Sequence, residues 1–565
     1  MRKKIYTGLV CMSLAAVLAG CGQSAGTTAT TAATTEAATE AEKKTEATAI
    51  EGAVNVVLSD DGITVDGEAA SENTEAAVYI ANDIVYYEEG KDFTYGEGTA
   101  EDEHSKEEAD AHTVVHIAKP GTYAVSGSLS AGQIAIDLGE DAEEDPEAVV
   151  TLILNGVDIN CSVAPGVIFY NVYECGSADT ETAKKDVDTT AAGANVIIAD
   201  GTENNVNGSY VARIYKSVEL NEAGTEVVDS KKLHKYDAAF YSKMTMNVDG
   251  GEEGTGVLNI TAENEGLDSE LHLTLNGGNI NIVSGNDGIN TNEDGVSVTT
   301  INGGTLTIKV DGSTGEGDGI DSNGWLVING GTVISEACSF SGDAGIDSDM
   351  GIHINGGTVI ATGNMLDHIS ESEQNYAVFS FASRQSGEEP IVLKDAEGNT
   401  VLTCDPENNF TYLIFSDEAM VEGTYTLWAG DTQLAGASGE GMGMMAGGFG
   451  GGMGGRPGMN DGGSRPDNMP EGSMPESMPE GSTQENMTPP EKPDGTAKGE
   501  HPQMQDGGQG MQNGGQGGGK QGGMKGQGGR GQIGSAETST DFVITAGGNY
   551  FTSVGAAVTE TAAAK

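Results

Sequence analysis

Cysteine is scarce in this chain. Beyond Cys21 only Cys161, Cys175, Cys338 and Cys404 remain among 565 residues, which excludes a disulfide framework. The sequence leaves open whether Cys161 and Cys175 pair or stay as two buried thiols. Basic residues are few as well: 27 Lys and Arg against 87 Asp and Glu give a formal charge of −60. That balance argues against nucleic acid or an anionic membrane surface as partner, and suits a surface that holds cations. Aromatic residues make up 5% of the chain, so stacking platforms have few candidates. From residue 237 to 370 there is no arginine, and Lys243 and Lys309 are the only lysines. After the first twenty or so residues no stretch is long and apolar enough to cross a membrane.

What the chain has in place of these is repetition. Asn276-Gly277-Gly278 returns as Asn302-Gly303-Gly304, Asn329-Gly330-Gly331 and Asn355-Gly356-Gly357, at spacings of 26, 27 and 26. Between these marks runs a second phrase, Glu265-Gly266-Leu267-Asp268-Ser269, then Asp287-Gly288-Ile289-Asn290-Thr291. It returns as Asp318-Gly319-Ile320-Asp321-Ser322 and Ala344-Gly345-Ile346-Asp347-Ser348. Short alternating strands follow each Asn-Gly-Gly, and no helical apolar run fits between them. A period of this length marks a solenoid whose repeats bury their apolar faces against each other. Short strands with Gly and Asn corners predict an all-β chain, one coil of a parallel β-helix per repeat; a leucine-rich repeat would need a Leu ladder that is missing.

The remaining segments fall in order. Arg2-Lys3-Lys4, an apolar stretch and Leu18-Ala19-Gly20-Cys21 read as a secretory signal over 1–21 ending in a bacterial lipobox, with lipid on Cys21. The expected localisation is therefore extracellular, lipid-anchored to the cell membrane. Residues 22–50 are expected to be a disordered Thr/Ala/Glu stalk, and 51–111 an irregular N-terminal segment. Residues 112–375 hold the repeats, with polar insertions at 176–193 and 213–235. Longer, antiparallel-looking strands over 376–435 read as a capping sheet that protects the open end. Residues 436–537, rich in Gly, Met and Pro, are expected to be a disordered insertion, and 538–565 a terminal strand and tail. Copper on its methionines is the competing reading, but only His501 accompanies them.

His112 to Val157, with Pro120-Gly121-Thr122-Tyr123 and Leu154-Asn155-Gly156-Val157, leads into Ala199-Asp200-Gly201-Thr202 and Asp237-Ala238-Ala239-Phe240-Tyr241-Ser242. Together with the Asp-Gly-Ile-Asp-Ser phrases, this order resembles the clostridial carbohydrate-binding proteins built on a polysaccharide-lyase-like β-helix, over roughly 112–435. The resemblance implies a right-handed parallel β-helix, bound calcium, and plant cell-wall polysaccharide, pectin- or cellulose-like, as partner. It brings no catalytic residues with it.

The residues point to calcium independently. Strand alternation sets Ile320 inside and Asp321 outside. Stacking the repeats then forms a column of Asp268, Asn290, Asp321 and Asp347, about 4.8 Å apart. Neighbouring carboxylates at that distance repel by roughly 3–4 kcal/mol at an effective dielectric of about 20. A Ca²⁺ ion would relieve this, with Asp287, Asp318, Asp343 and Asp349 as further oxygen donors. The plainer reading is of hydrated turn residues. Catalysis is not expected: a lyase needs a base for the proton α to a uronate carboxyl, and this stretch is poor in bases. Paired carboxylates recur in several repeats, which fits structure better than a single hydrolytic site. A surface spacer or adhesin is the third reading. Trp325 and Tyr241 are the candidate sugar platforms, each alternatively a packing residue, and a monomer is expected.

Overall fold

The computed structural model describes residues 49–370, 372–439 and 538–557. The lipobox expected at Cys21, the stalk expected up to residue 50, save its last two residues, and nearly all of the insertion expected at 436–537 lie outside the described residues. The described chain is all-β, with large mixed sheets and almost no helix; Lys106–Asp110 is a single α-turn capped by Ser105.

Each of the first three repeats supplies one strand to each of three stacks, and the fourth to two of them. Ile289–Thr291 pairs in parallel with Glu265–Ser269 on one side and Ile320–Ser322 on the other. Val298–Ile301 does the same between His272–Leu275 and Trp325–Ile328. Thr305–Val310 lies between Asn279–Ser284 and Thr332–Glu336. Alternation turns every second side chain inward, so Leu267, Ile289, Ile320 and Ile346 form one fully buried ladder. Ile280, Leu306, Val333 and Val359 form another. Each such side chain contributes about 1.5–3 kcal/mol of burial, which no single repeat could gather alone.

The repeated phrases follow from this stacking. In Asn-Gly-Gly the amides form a ladder, Asn302 donating to Asn276 at 2.9 Å, Asn329 to Asn302 at 3.0 Å and Asn355 to Asn329 at 2.9 Å. The second glycine, as at Gly304 with φ +82°, takes the left-handed corner. The glycine of Asp-Gly-Ile has a different reason. A Cβ on Gly288 would press into Ile308 and lie 2.5 Å from the Gly319 carbonyl oxygen of the next repeat. Gly288→Ala is therefore expected to lower stability by about 1–3 kcal/mol, read as a reduced urea midpoint. A midpoint equal to that of the parent would show that the stack yields.

The first stack extends backwards into an eight-stranded sheet. Its strands are Val78–Ala81, Thr113–Ile117, Gly132–Asp137, Val167–Asn171 and Ala238–Ser242, followed by the three named above. All its pairings are parallel except the first. Val54–Leu58 stacks in parallel on Gly121–Leu129. Residues 211–236 leave the repeat pattern as an antiparallel ribbon, Val211–Leu220 against Val227–Tyr236. At the far end, Phe410–Ser416 pairs antiparallel with Thr358–Gly363 and covers that edge. The covering strands have a core of their own, in which Phe379 meets Phe542 and Phe551 at ring separations of 5.4 and 5.3 Å. Phe542–Ile544 joins them by pairing with Gly423–Ala429. Cys161, Cys175, Cys338 and Cys404 are all free thiols, with Cys175 only half-buried.

Candidate functional site

Parallel register in the eight-stranded sheet sets one residue of each strand in a row. It runs His116, Ala135, Ile168, Tyr241, Asp268, Asn290 and Asp321. Asp347 follows, its backbone amide on the Ile320 carbonyl at 2.7 Å. The predicted residues Asp268, Asn290, Asp321 and Asp347 thus come together. Asp268 and Asn290 do not stand on an open face, however, while Asp321 and Asp347 are half-buried. Asp268 is 0% and Asn290 7% exposed, because Lys235 and Asp237 at the end of the ribbon, with Asn292, lie against this part of the row. Asn292 donates to both oxygens of Asp268, at 2.8 and 3.0 Å.

Burial creates a centre that alternation alone does not foresee. One carboxylate oxygen each of Asp237, Glu265 and Asp268 lies within 4.8 Å of the others. Asn290 donates to Glu265 Oε1 at 3.3 Å. The other Glu265 oxygen, Oε2, and the Asn290 oxygen, Oδ1, are buried with no partner among the described residues. Lys235 Nζ reaches Asp237 Oδ2 at 2.8 Å. Burial pushes the Asp268 carboxyl well above the usual range, and Glu270 and Asp237 add repulsion. Glu265 is raised likewise, by burial and then by Asp237 and Asp268. Asp237 is raised by burial in spite of Lys235. Glu270 moves the other way: burial alone would raise it, but Lys232 and the Tyr241 hydroxyl hold it below its ordinary value.

The further predicted donors continue the pattern. Asp287 accepts the Asp318 amide at 2.7 Å, Asp318 the Ala344 amide at 2.5 Å, and Asp343 the Gly317 amide at 2.7 Å. These bonds from successive repeats explain why an acid opens the phrase. Burial and the neighbouring Glu265 and Asp321 push Asp287 well up. Asp318 is pushed up to about 10 by burial, then by Asp287 and Asp347. Asp347 is pushed up to about 7 by burial and the adjacent Asp367. Asp349 is exposed and sits apart, its carboxyl raised by partial burial and by Asp294 and Asp367.

The two aromatic candidates differ. Tyr241 offers no platform: it is 1% exposed, packed edge-on to Tyr236, with its hydroxyl on Glu270. The ribbon covers it, and a row position gave no warning of that. Trp325 heads a strand of another stack, half-buried, between Val298 and Gly351.

The donor set suits Ca²⁺. It consists of hard oxygens only, and three carboxylates against one ammonium leave two negative charges for a divalent ion to balance. The unpartnered Glu265 and Asn290 oxygens are what such an ion would take up. Asp237 and Glu265 escaped the sequence reading for different reasons. Glu265 opens the phrase as Asp287 and Asp318 do, a signal that was available; Asp237 belongs to a divergent repeat whose register only the fold supplies.

These features define a class: an acidic all-β protein of stacked repeats, with a buried carboxylate centre on one sheet. Within that class, the chain belongs to the carbohydrate-binding domain-containing protein family, whose model matches residues 111–403. It is similar to the polysaccharide lyase-like protein from C. thermocellum, solved as a gadolinium derivative. The two share 19% identity over 57% of this chain and 92% of that one, with a TM-score of 0.30. No curated protein matches the chain.

Proposed function

We propose that this chain is a calcium-dependent, non-catalytic polysaccharide-binding protein built as a right-handed parallel β-helix. Its partner would be a pectin- or cellulose-like glycan, and Cys21 would carry a lipid that anchors it outside the cell. Family membership supports the carbohydrate. The observation that carries calcium is the centre at Asp237, Glu265 and Asp268, where buried carboxylates exceed the available ammonium by two charges and the Glu265 and Asn290 oxygens lack partners. In this reading Asp237, Glu265, Asp268 and Asn290 hold the ion, which supplies a positive charge that braces the stack. Asp318, Asp321 and Asp347 would form a second, more open group.

The phenols and the amine closest to the carboxylate centre favour binding over elimination. A lyase would need one of them deprotonated at neutral pH. Burial pushes the phenols of Tyr236 and Tyr241 well above their ordinary value; it works to lower Lys235, but Asp237, Glu265 and Asp268 together hold that amine above its own, while burial holds His234 on the ribbon below its ordinary value. The test is a binding isotherm for oligogalacturonate and for a neutral glucan, each with calcium and with chelator. Galacturonate binding is expected to fall at least tenfold in chelator, with neutral glucan binding little changed. An oligogalacturonate isotherm that ignores chelator would count against calcium, and product absorbing in the unsaturated-uronate band would establish the lyase instead.

A further inference from the structure

The ribbon of residues 211–236 stands over the N-terminal part of the eight-stranded sheet, and between the two lies a cleft of about 630 Å³. His116, Ala135, Tyr170, Tyr241 and Lys243 form its floor; Lys216, Lys232, His234 and Tyr236 come from the ribbon. None of Asp237, Glu265 and Asp268 lines it, so it is a place distinct from the carboxylate centre. Its volume falls in the range of small-molecule sites, about 300–1,000 Å³.

The chemistry of the walls narrows the occupant. In a chain with only 27 Lys and Arg, Lys216, Lys232, Lys235 and Lys243 all converge on this cleft. They meet Asp83, Asp137, Glu140, Glu143 and Glu270 there, which brings the walls close to charge balance. Several are paired: Lys232 with Glu270 at 3.1 Å, Lys243 with Glu143 at 3.9 Å and with the Asn171 side-chain oxygen at 3.3 Å. A strongly charged ligand would leave one sign uncompensated. A polyhydroxyl ligand would not, because each hydroxyl donates and accepts at once and can use both the ammonium N–H groups and the carboxylate oxygens.

The aromatic side chains are fixed for such a ligand. Tyr236 packs edge-on against Tyr170 and Tyr241, with ring centroids 5.4 and 5.2 Å away. His116 stacks on Tyr79 at 4.4 Å and is tied to Asp83 at 2.8 Å. The half-buried rings of Tyr170 and His116 among paired polar groups match the alternating C–H and O–H surface of a pyranose, with Tyr236 and Tyr241 packed behind them. The floor also continues directly into the carboxylate row, at about 4.8 Å per strand. Beyond Tyr241 the row passes beneath Lys235 and Asp237, where Asp268 is buried, and this closes the cleft at that end.

We infer that this cleft is a saccharide subsite that holds a neutral pyranose segment independently of calcium. The inference rests on the carbohydrate-binding reading above and adds its location and ligand class. The test uses the full chain with two probes of equal length, a neutral β-linked glucan hexaose and hexagalacturonate, with calcium and with chelator. Lysine acylation mapped by mass spectrometry reads the site in the unaltered protein. The neutral hexaose is expected to protect Lys216, Lys232 and Lys243 in either condition, while exposed Lys231, outside the cleft, stays reactive. Tyr170→Ala is expected to weaken the neutral hexaose at least tenfold, with hexagalacturonate binding in calcium retained. Binding of the hexaose without protection of those lysines would overturn the subsite and leave the carbohydrate function intact. Stronger protection by hexagalacturonate in chelator would overturn the neutral assignment. Failure of the unaltered chain to bind either probe would sink the subsite and the function together.

Discussion

Chelation of calcium is expected to lower the melting temperature of the protein by several degrees, and Asp268→Asn is expected to abolish that response. Removing the ion leaves Asp237, Glu265 and Asp268 facing each other in a site where Asp268 is 0% and Glu265 6% exposed. Only Lys235 remains to offset them directly, at 2.8 Å from Asp237. An ion that binds the native state alone stabilises it by RT ln(1 + [L]/Kd), about 2.7 kcal/mol at a hundredfold excess over Kd. That stabilisation is lost in chelator, and the buried carboxylates must then repel each other or take up protons. Asp268→Asn removes one negative charge and keeps nearly the same volume, so two opposite effects are predicted. In calcium the variant melts below the parent, because the ion is held by fewer carboxylates. In chelator it melts above the parent, because it has one buried carboxyl fewer to protonate or to hold ionised against its neighbours. Scanning calorimetry of both proteins in both conditions gives this crossing. Curves for the parent that ignore chelator would remove calcium from the centre, and a variant that is lower in both conditions would give Asp268 a purely packing role.

The row itself was legible in the sequence because it depends only on local rules. A period near 26 fixes which strands become neighbours, and alternation fixes which side of Leu267, Ile289 and Ile320 the acids take. Asp268, Asn290 and Asp321 accordingly stand in one register. The opening acids were legible as possible donors too, although their bonds to the amides of Asp318, Ala344 and Gly317 depend on how successive repeats meet. What local rules cannot give is what lies over the row. The ribbon of residues 211–236 is an excursion from the repeat, and its path decides that Asp268 and Tyr241 are buried while Asp349 is exposed. The same excursion brings Lys235 and Asp237 to the centre and Lys216 and Lys232 over the cleft. A side chain placed outward by alternation is outward only with respect to its own sheet.

In chelator, the protein is expected to lose stability as pH rises, the reverse of what salt-bridged acids produce. The sign follows from where the proton sits. Asp347 is pushed up to about 7 and Asp318 to about 10 in the folded chain, against roughly 3.9 for an unperturbed Asp. Between those values the native state holds protons that the unfolded chain has released, so the unfolding free energy falls with increasing pH. The contribution of these groups is complete below about pH 4. Asp347's share is lost by about 7 and Asp318's continues to fall to about 10. Glu265, Asp268 and Asp287, all raised by burial, act in the same direction. His272 opposes them: burial pushes it down to about 4, so it favours the native state increasingly up to the ordinary histidine value of about 6.5. Above that its effect is constant, which makes pH 7 to 8 the clean window, before the thiols of Cys161, Cys175 and Cys404, all pushed up by burial, begin to ionise in the unfolded chain. There each group still protonated in the native state subtracts at most about 1.4 kcal/mol per pH unit, less for the half-buried Asp318 after solvent screening. With calcium bound at the centre Asp237, Glu265 and Asp268 are held ionised, and the urea midpoint should fall less steeply over the same window. Midpoints measured at pH 7, 7.5 and 8 with and without chelator give the comparison. A midpoint that rises with pH in chelator would mean that these acids are already compensated in the metal-free chain, and the need for a cation would go with it.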